Sequence, residues 1–116
     1  MATPNLAIRL QFEPVRTLGF ASIGAGYMGV GTPLSNPARQ IFVQNLTDVT
    51  LMFSFDGIND HFPLPTNGFL LLDVTSNKTN QGGGFYIAEG SRLYVKEIGA
   101  PSTGSVYFSV MFGSDV

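Results

Sequence analysis

Apolar and polar residues alternate with a period of two along much of this chain. Between Asn5 and Glu13, Leu6, Ile8, Leu10 and Phe12 fall on one face and Ala7, Arg9, Gln11 and Glu13 on the other. That spacing predicts a half-buried strand. Pro14 ends it, because proline has no N–H to give to a ladder. The same period returns at Ile41 and Val43, at Val49, Leu51, Phe53 and Phe55, at Leu93 and Val95, and at Val106, Phe108, Val110 and Phe112. Residues 69–74 read FLLLDV, nearly continuous apolar, which predicts a strand buried on both faces.

Turn residues punctuate these stretches. They include Asn45 to Asp48, the pair Asp56-Gly57, a loop with Pro63 and Pro65, the polar run SNKTNQGGG, Glu89-Gly90, and residues 99–104. No segment with a 3.6 period is long enough for a helix. About six to eight strands, with turns roughly every 8–12 residues, predict an all-β fold. The expected architecture is an antiparallel β-sandwich, jelly-roll-like or immunoglobulin-like, or a small barrel. It spans residues 1–116 as one domain. The one-face stripes predict a core containing Leu10, Phe12, Val43, Leu51, Phe53, Leu71, Val95, Phe108 and Val110.

Residues 18–37 break the pattern, with glycines at 19, 24, 26, 29 and 31 and prolines at 33 and 37. Two readings are open. The segment is an irregular strand of the same domain, or an extended arm that lies on a neighbouring subunit and anchors through Phe20, Ile23, Tyr27, Met28, Val30 and Leu34. An arm of this kind gains main-chain hydrogen bonds and apolar burial together when it binds.

Composition narrows the function classes. The 116 residues are 44% apolar and only 12% charged, with ten Phe and no Trp. Soluble surfaces normally carry about twice that share of charge. Either much of the surface is covered by other subunits, or it is a neutral Thr/Ser/Asn-rich β surface. The six basic residues are scattered, so no stripe exists to neutralise phosphates and nucleic-acid binding is not expected. No cysteine is present, which removes disulfides and thiolate metal sites. No charged segment followed by an apolar one opens the chain, so synthesis in the cytosol without a secretory signal is expected. The longest apolar run, Phe69 to Leu72, is far too short to span a bilayer as a helix.

Candidate chemistry is sparse. His61 lies beside Asp60 and near Asp56, the raw material for a base and its orienting carboxylate or for a metal pair. One imidazole without thiols makes a poor transition-metal site, and a loop histidine is the expected reading. The eight acids sit singly at predicted turns and strand ends, where their side chains favour local backbone hydrogen bonds over catalysis by a carboxylate pair. The GAGYMG spacing of Gly24, Gly26 and Gly29 lacks the strand and helix of a dinucleotide site. Gly82 to Gly84 precedes a strand rather than a helix N-terminus. No catalytic, cofactor-binding or metal-ligating residue is assigned. The sequons at Asn45 and Asn77 are expected to be polar turns.

The run QNLTDVTLMFSFDGINDHFPLPTNGFLLLDVTSNKT, followed by FYIAEGSRLYVKEIG and SVYFSVMFG, resembles small β-rich virion proteins of tailed bacteriophages. The likeness covers about two thirds of the chain, from Gln44 to Gly113, and its matched positions are mostly turn residues and core stripes. It implies a non-enzymatic structural subunit that is assembled in the host cytoplasm and located in the virion. The role implied first is capsid cement or decoration, with the major capsid protein or other virion proteins as partners and with homo-oligomers. A neck or tail accessory subunit is the alternative. From the residues themselves, a carbohydrate-binding sandwich is a rival. Outward-facing Tyr86, Tyr94 and Tyr107 serve either as subunit contacts or as sugar platforms.

Overall fold

In the computed structural model, residues 9–74 and 87–114 are described. Nine strands form two antiparallel sheets: β1 (Arg9–Phe12), β2 (Arg16–Gly19), β3 (Met28–Gly29), β4 (Ala38–Asn45), β5 (Leu51–Ser54), β6 (Phe62–Leu64), β7 (Phe69–Asp73), β8 (Tyr94–Glu97) and β9 (Ser105–Ser114). A single 3-10 turn, Phe20–Ser22, lies between β2 and β3. The first sheet runs β1-β9-β4-β7, with β2 also on β9; the second runs β3-β8-β5-β6.

The pairings are nested. β1 and β2 pair with β9, β3 with β8, β4 with β7 and β5 with β6, alternately in one sheet and the other. A long hairpin rolled on itself gives this order, which is that of a jelly roll. Of the two sandwich types expected from the sequence, it is the first. β1 and β2 are one interrupted edge strand. Phe12 faces Met111 and Arg16 faces Phe108, so Glu13, Pro14 and Val15 stand opposite only two residues of β9. The extra residue is a bulge.

The core lies between the sheets. Ile41, Val43, Leu51, Phe53, Val95, Val106, Phe108 and Val110 are all fully buried. Six of the nine predicted core residues are among them; Leu10, Phe12 and Leu71 are not. These three are 49%, 66% and 60% exposed, on the outer face of the first sheet. For β1 the alternation was read correctly but its side was inverted. The bulge shifts parity by one residue, so Arg16 and Leu18 point inward on β2 while Leu10 and Phe12 point outward on β1. For β7 the expectation of burial on both faces fails. The strand is the edge of its sheet, with Leu70 and Leu72 opposite the buried Val43 and Ile41, and Phe69 and Leu71 on the other face.

The turns follow the sequence closely. Gly57 takes a φ of +72°, and the Asp56 carboxylate accepts hydrogen bonds from the Ile58 and Asn59 N–H groups. Asn45 is fully buried. Its amide donates to the carbonyls of Val49 and Leu64, and its carbonyl oxygen accepts from the backbone and hydroxyl of Thr47. The first sequon is therefore a structural joint. The second, at Asn77, lies outside the described residues, as does the run SNKTNQGGG.

Candidate functional site

Residues 18–37 run over their own subunit. The N–H groups of Phe20, Val30 and Leu34 donate to the carbonyls of Gly104, Leu93 and Ser91, and Gly24 accepts from Glu97. Arg92 crosses above Gly29 and donates to the Gly31 carbonyl at 2.8 Å; a Cβ on Gly29 would collide with its guanidinium. Ile23, Val30 and Leu34 are buried in the subunit's own core, so in this arrangement they are not offered to a neighbour. Phe20 and Met28 are exposed, at 38% and 48%.

The clasp that holds this segment was not anticipated. Glu13 and Arg16 flank the bulge and form a buried ion pair of 2.7 Å. Arg16 also donates to the carbonyls of Thr32 and Pro33. Glu13 accepts from the Ser35 N–H and the Asn36 amide. Burial opposes the charge on Glu13, but the hydrogen bonds of Arg16, Asn36 and Ser35 outweigh it and hold its pKa below the ordinary value. The only sequence signal was two opposite charges three residues apart around a proline.

The outer face of the second sheet is polar and internally tied. The Tyr27 hydroxyl donates to Asp60 at 2.5 Å, Lys96 pairs with the same carboxylate at 2.9 Å, and its ammonium lies 4.8 Å from the centre of the Tyr27 ring. Burial and the neighbouring Asp60 push the Tyr27 phenol up to about 12. Arg92 lies 5.7 Å from the centre of the Tyr94 ring. His61 accepts the Phe55 N–H at Nδ1, and its Nε2 is 3.7 Å from Asp56. It works as a turn brace. Among the described residues no group of three or more His, Asp or Glu side chains is placed to hold a metal ion.

The outer face of the first sheet is of another kind. Cross-strand pairing aligns Phe12 with Met111, Phe42 with Leu71, and Gln44 with Phe69 on one side and Tyr107 on the other. Phe42 and Phe69 meet edge to face with ring centres 5.5 Å apart. Together with the half-exposed Leu10, the apolar members of this set expose apolar area at both edges of the sheet, with Gln40, Gln44 and Ser109 among them on the central strands. Exposed apolar area of this sort marks a contact site rather than ordinary solvated surface. Of the candidate tyrosines, only Tyr107 belongs to it. Tyr94 is on the opposite sheet, and Tyr86 lies outside the described residues.

No known protein family's sequence profile matches the chain, and no curated protein is similar to it in sequence. Among solved structures, the chain is similar to a protein of Bacillus endospore appendages, described as a novel family of disulfide-linked pili. The match has a TM-score of 0.50 and covers 99% of this chain and 97% of that one, at 10% identity. At that identity the likeness shows a shared fold; neither it nor the sequence comparisons carry anything specific to phages.

Proposed function

We propose that the chain is a non-enzymatic structural subunit that works inside a larger assembly, using the outer face of its five-stranded sheet. The observation that carries this is the apolar surface of Leu10, Phe12, Phe42, Phe69 and Leu71 on a chain with few charges. Burying such a face contributes about 25 cal/mol per Å² of apolar area. A fold shared with a pilus protein supports the same reading. A disulfide linkage like that named for the pili is closed to a chain without cysteine.

The finer reading is a virion subunit, a cement or decoration protein on the major capsid protein, as the phage resemblance implies; a neck or tail adaptor is its variant. A carbohydrate-binding role needs open aromatic faces. Of the candidate tyrosines, Tyr94 has a cation over its ring, which a sugar would have to displace, and Tyr107 lies on the first sheet's outer face beside Gln44 and away from Tyr94. The test is to mix the labelled protein with heads, and separately with tails, of the encoding phage assembled without it. Saturable, stoichiometric binding to heads is expected, abolished by Phe12→Lys. Binding to tails alone selects the adaptor reading, and binding to neither overturns a virion role.

A further inference from the structure

A sheet edge is a row of unpaired backbone donors and acceptors, and proteins blunt their edges to avoid unwanted pairing. The edges of this sandwich are treated unequally. The β1–β2 edge is broken by the Pro14 bulge. β3 is two residues long. β6 has three residues with Pro63 at its centre, and Pro65 follows it. β7 has none of these devices. It runs five residues without proline, glycine or lysine, in unbroken register with β4, and Phe69 and Leu71 are 62% and 60% exposed.

The backbone of β7 is poised for a partner. Gly68 gives its carbonyl to the Asn45 N–H, and Val74 gives its N–H to the Arg39 carbonyl. Since direction alternates along a strand, Leu70 and Leu72 aim their backbone groups at β4, and Phe69 and Leu71 aim theirs at the edge with which no described strand pairs. We propose that this edge pairs with the β7 edge of a second copy, antiparallel about a two-fold axis through Leu70. The proposal deepens the assembly reading above, on which it rests. A second copy is the occupant because, among its described strands, the other edges carry the same bulge, shortness or prolines, and β7 is the edge that can answer.

The register follows from the same alternation. Centring on Leu70 sets Phe69 opposite the partner copy's Leu71 and Leu71 opposite its Phe69, and each pair exchanges two main-chain hydrogen bonds. The outward side chains then meet as aromatic–aliphatic cross-strand pairs, a favourable combination. Asp73 falls outside the paired stretch, so no carboxylates are forced together. A two-fold axis normal to the sheet keeps both outer faces on one side, which joins two five-stranded sheets into one and doubles the apolar face.

Sedimentation of the full chain, its variants and single-cysteine mutants tests this. The wild type is expected as a dimer. Leu71→Lys, on an exposed side chain, should halve the mass without changing the circular dichroism spectrum. Phe12→Lys on the other edge and Ile58→Lys at the 80% exposed turn should leave the dimer intact. Because the chain has no cysteine, Leu70→Cys gives an unambiguous report: facing Cα atoms in such a pair sit about 4.5 Å apart, within disulfide range. It should cross-link on mild oxidation, and Leu72→Cys should not. A monomeric wild type, a dimer that survives Leu71→Lys, or one dissolved by Phe12→Lys overturns β7 pairing. A dimer lost in Leu71→Lys that never cross-links at Leu70→Cys overturns the register. A monomer that still binds phage heads refutes the pairing and leaves the assembly reading; a β7 dimer that binds neither heads nor tails leaves the pairing and overturns the virion role.

Discussion

The two outer surfaces of this sandwich use the same kinds of residue in opposite ways. On the four-stranded sheet, Tyr27 and Tyr94 lie under Lys96 and Arg92, and Asp60 and Asp56 are occupied by nearby donors. Aromatic area there is already covered by the subunit's own charges. On the five-stranded sheet, Phe12, Phe69 and Leu71 face water, and Asp73, held by Gln40, is the charged residue among them. A fold needs one buried layer; it does not need the apolar outside of the first sheet. The difference locates the part of the sequence that is shaped by something other than the stability of the single subunit.

The largest effects test whether inside and outside are assigned correctly. Phe108 is fully buried between the sheets, and Phe108→Ala should cost about 3–5 kcal/mol in denaturant unfolding. A loss below about 1 kcal/mol would mean that the facing of β9 is reversed and the contrast between the two surfaces collapses. Glu13→Ala leaves Arg16 buried without its carboxylate and should cost a similar ~3–5 kcal/mol. Its pH signature separates it from a packing defect. The folded-state pKa of Glu13 is depressed below 4.5, so its stabilisation is complete above that value and lost as pH falls through the folded pKa. Wild-type stability should fall in that acid window, and the Glu13→Ala protein should show a shallower fall.

The polar surface is sharpened by titration. One tyrosine should ionise near pH 12 in ultraviolet difference spectra, and Asp60→Asn should bring it down toward 10. The folded state holds that proton more tightly than the unfolded chain, so the associated stability is present below pH 10 and lost as pH rises toward 12. A Tyr27 that titrates normally would mean that the Asp60–Lys96 network is not formed in solution. The smallest stability change belongs to the apolar surface. Phe12→Lys should alter unfolding free energy by no more than about 0.5 kcal/mol while abolishing the head binding that the proposed virion role requires. Lys96→Ala on the other surface should leave that binding intact.

Much of the fold could be read from period and turn chemistry. The strands at 41–44, 51–54, 94–97 and 106–110, the Asp56-Gly57 turn and the all-β class required only local rules. What could not be read was which side of a stripe faces inward. Leu10 and Phe12 alternate as well as Leu51 and Phe53 do. Only the bulge at Pro14, with Arg16 drawn under the sheet by Glu13, turns the first pair outward. The apolar β7 carried a real signal that was referred to the wrong cause: continuous hydrophobicity marks burial in general, and nothing in FLLLDV distinguishes a sheet interior from an unguarded edge. The clasp at Glu13 joins positions up to 23 residues apart, a separation at which no spacing rule operates.

The nested pairing of strands has a consequence for how the chain reaches this structure. Among the described pairs only β5 and β6, at the tip of the rolled hairpin, are close in sequence; each further nested pair spans a longer stretch, and β1 and β2 wait for β9. Topologies dominated by such distant pairings fold on the order of milliseconds to seconds. During synthesis the N-terminal strands emerge well before β9, so the sandwich closes only once β9 has been made. Until then the first sheet lacks the strand that joins β1 and β2 to β4, and the order of synthesis itself defers association through that sheet until β9 is in place.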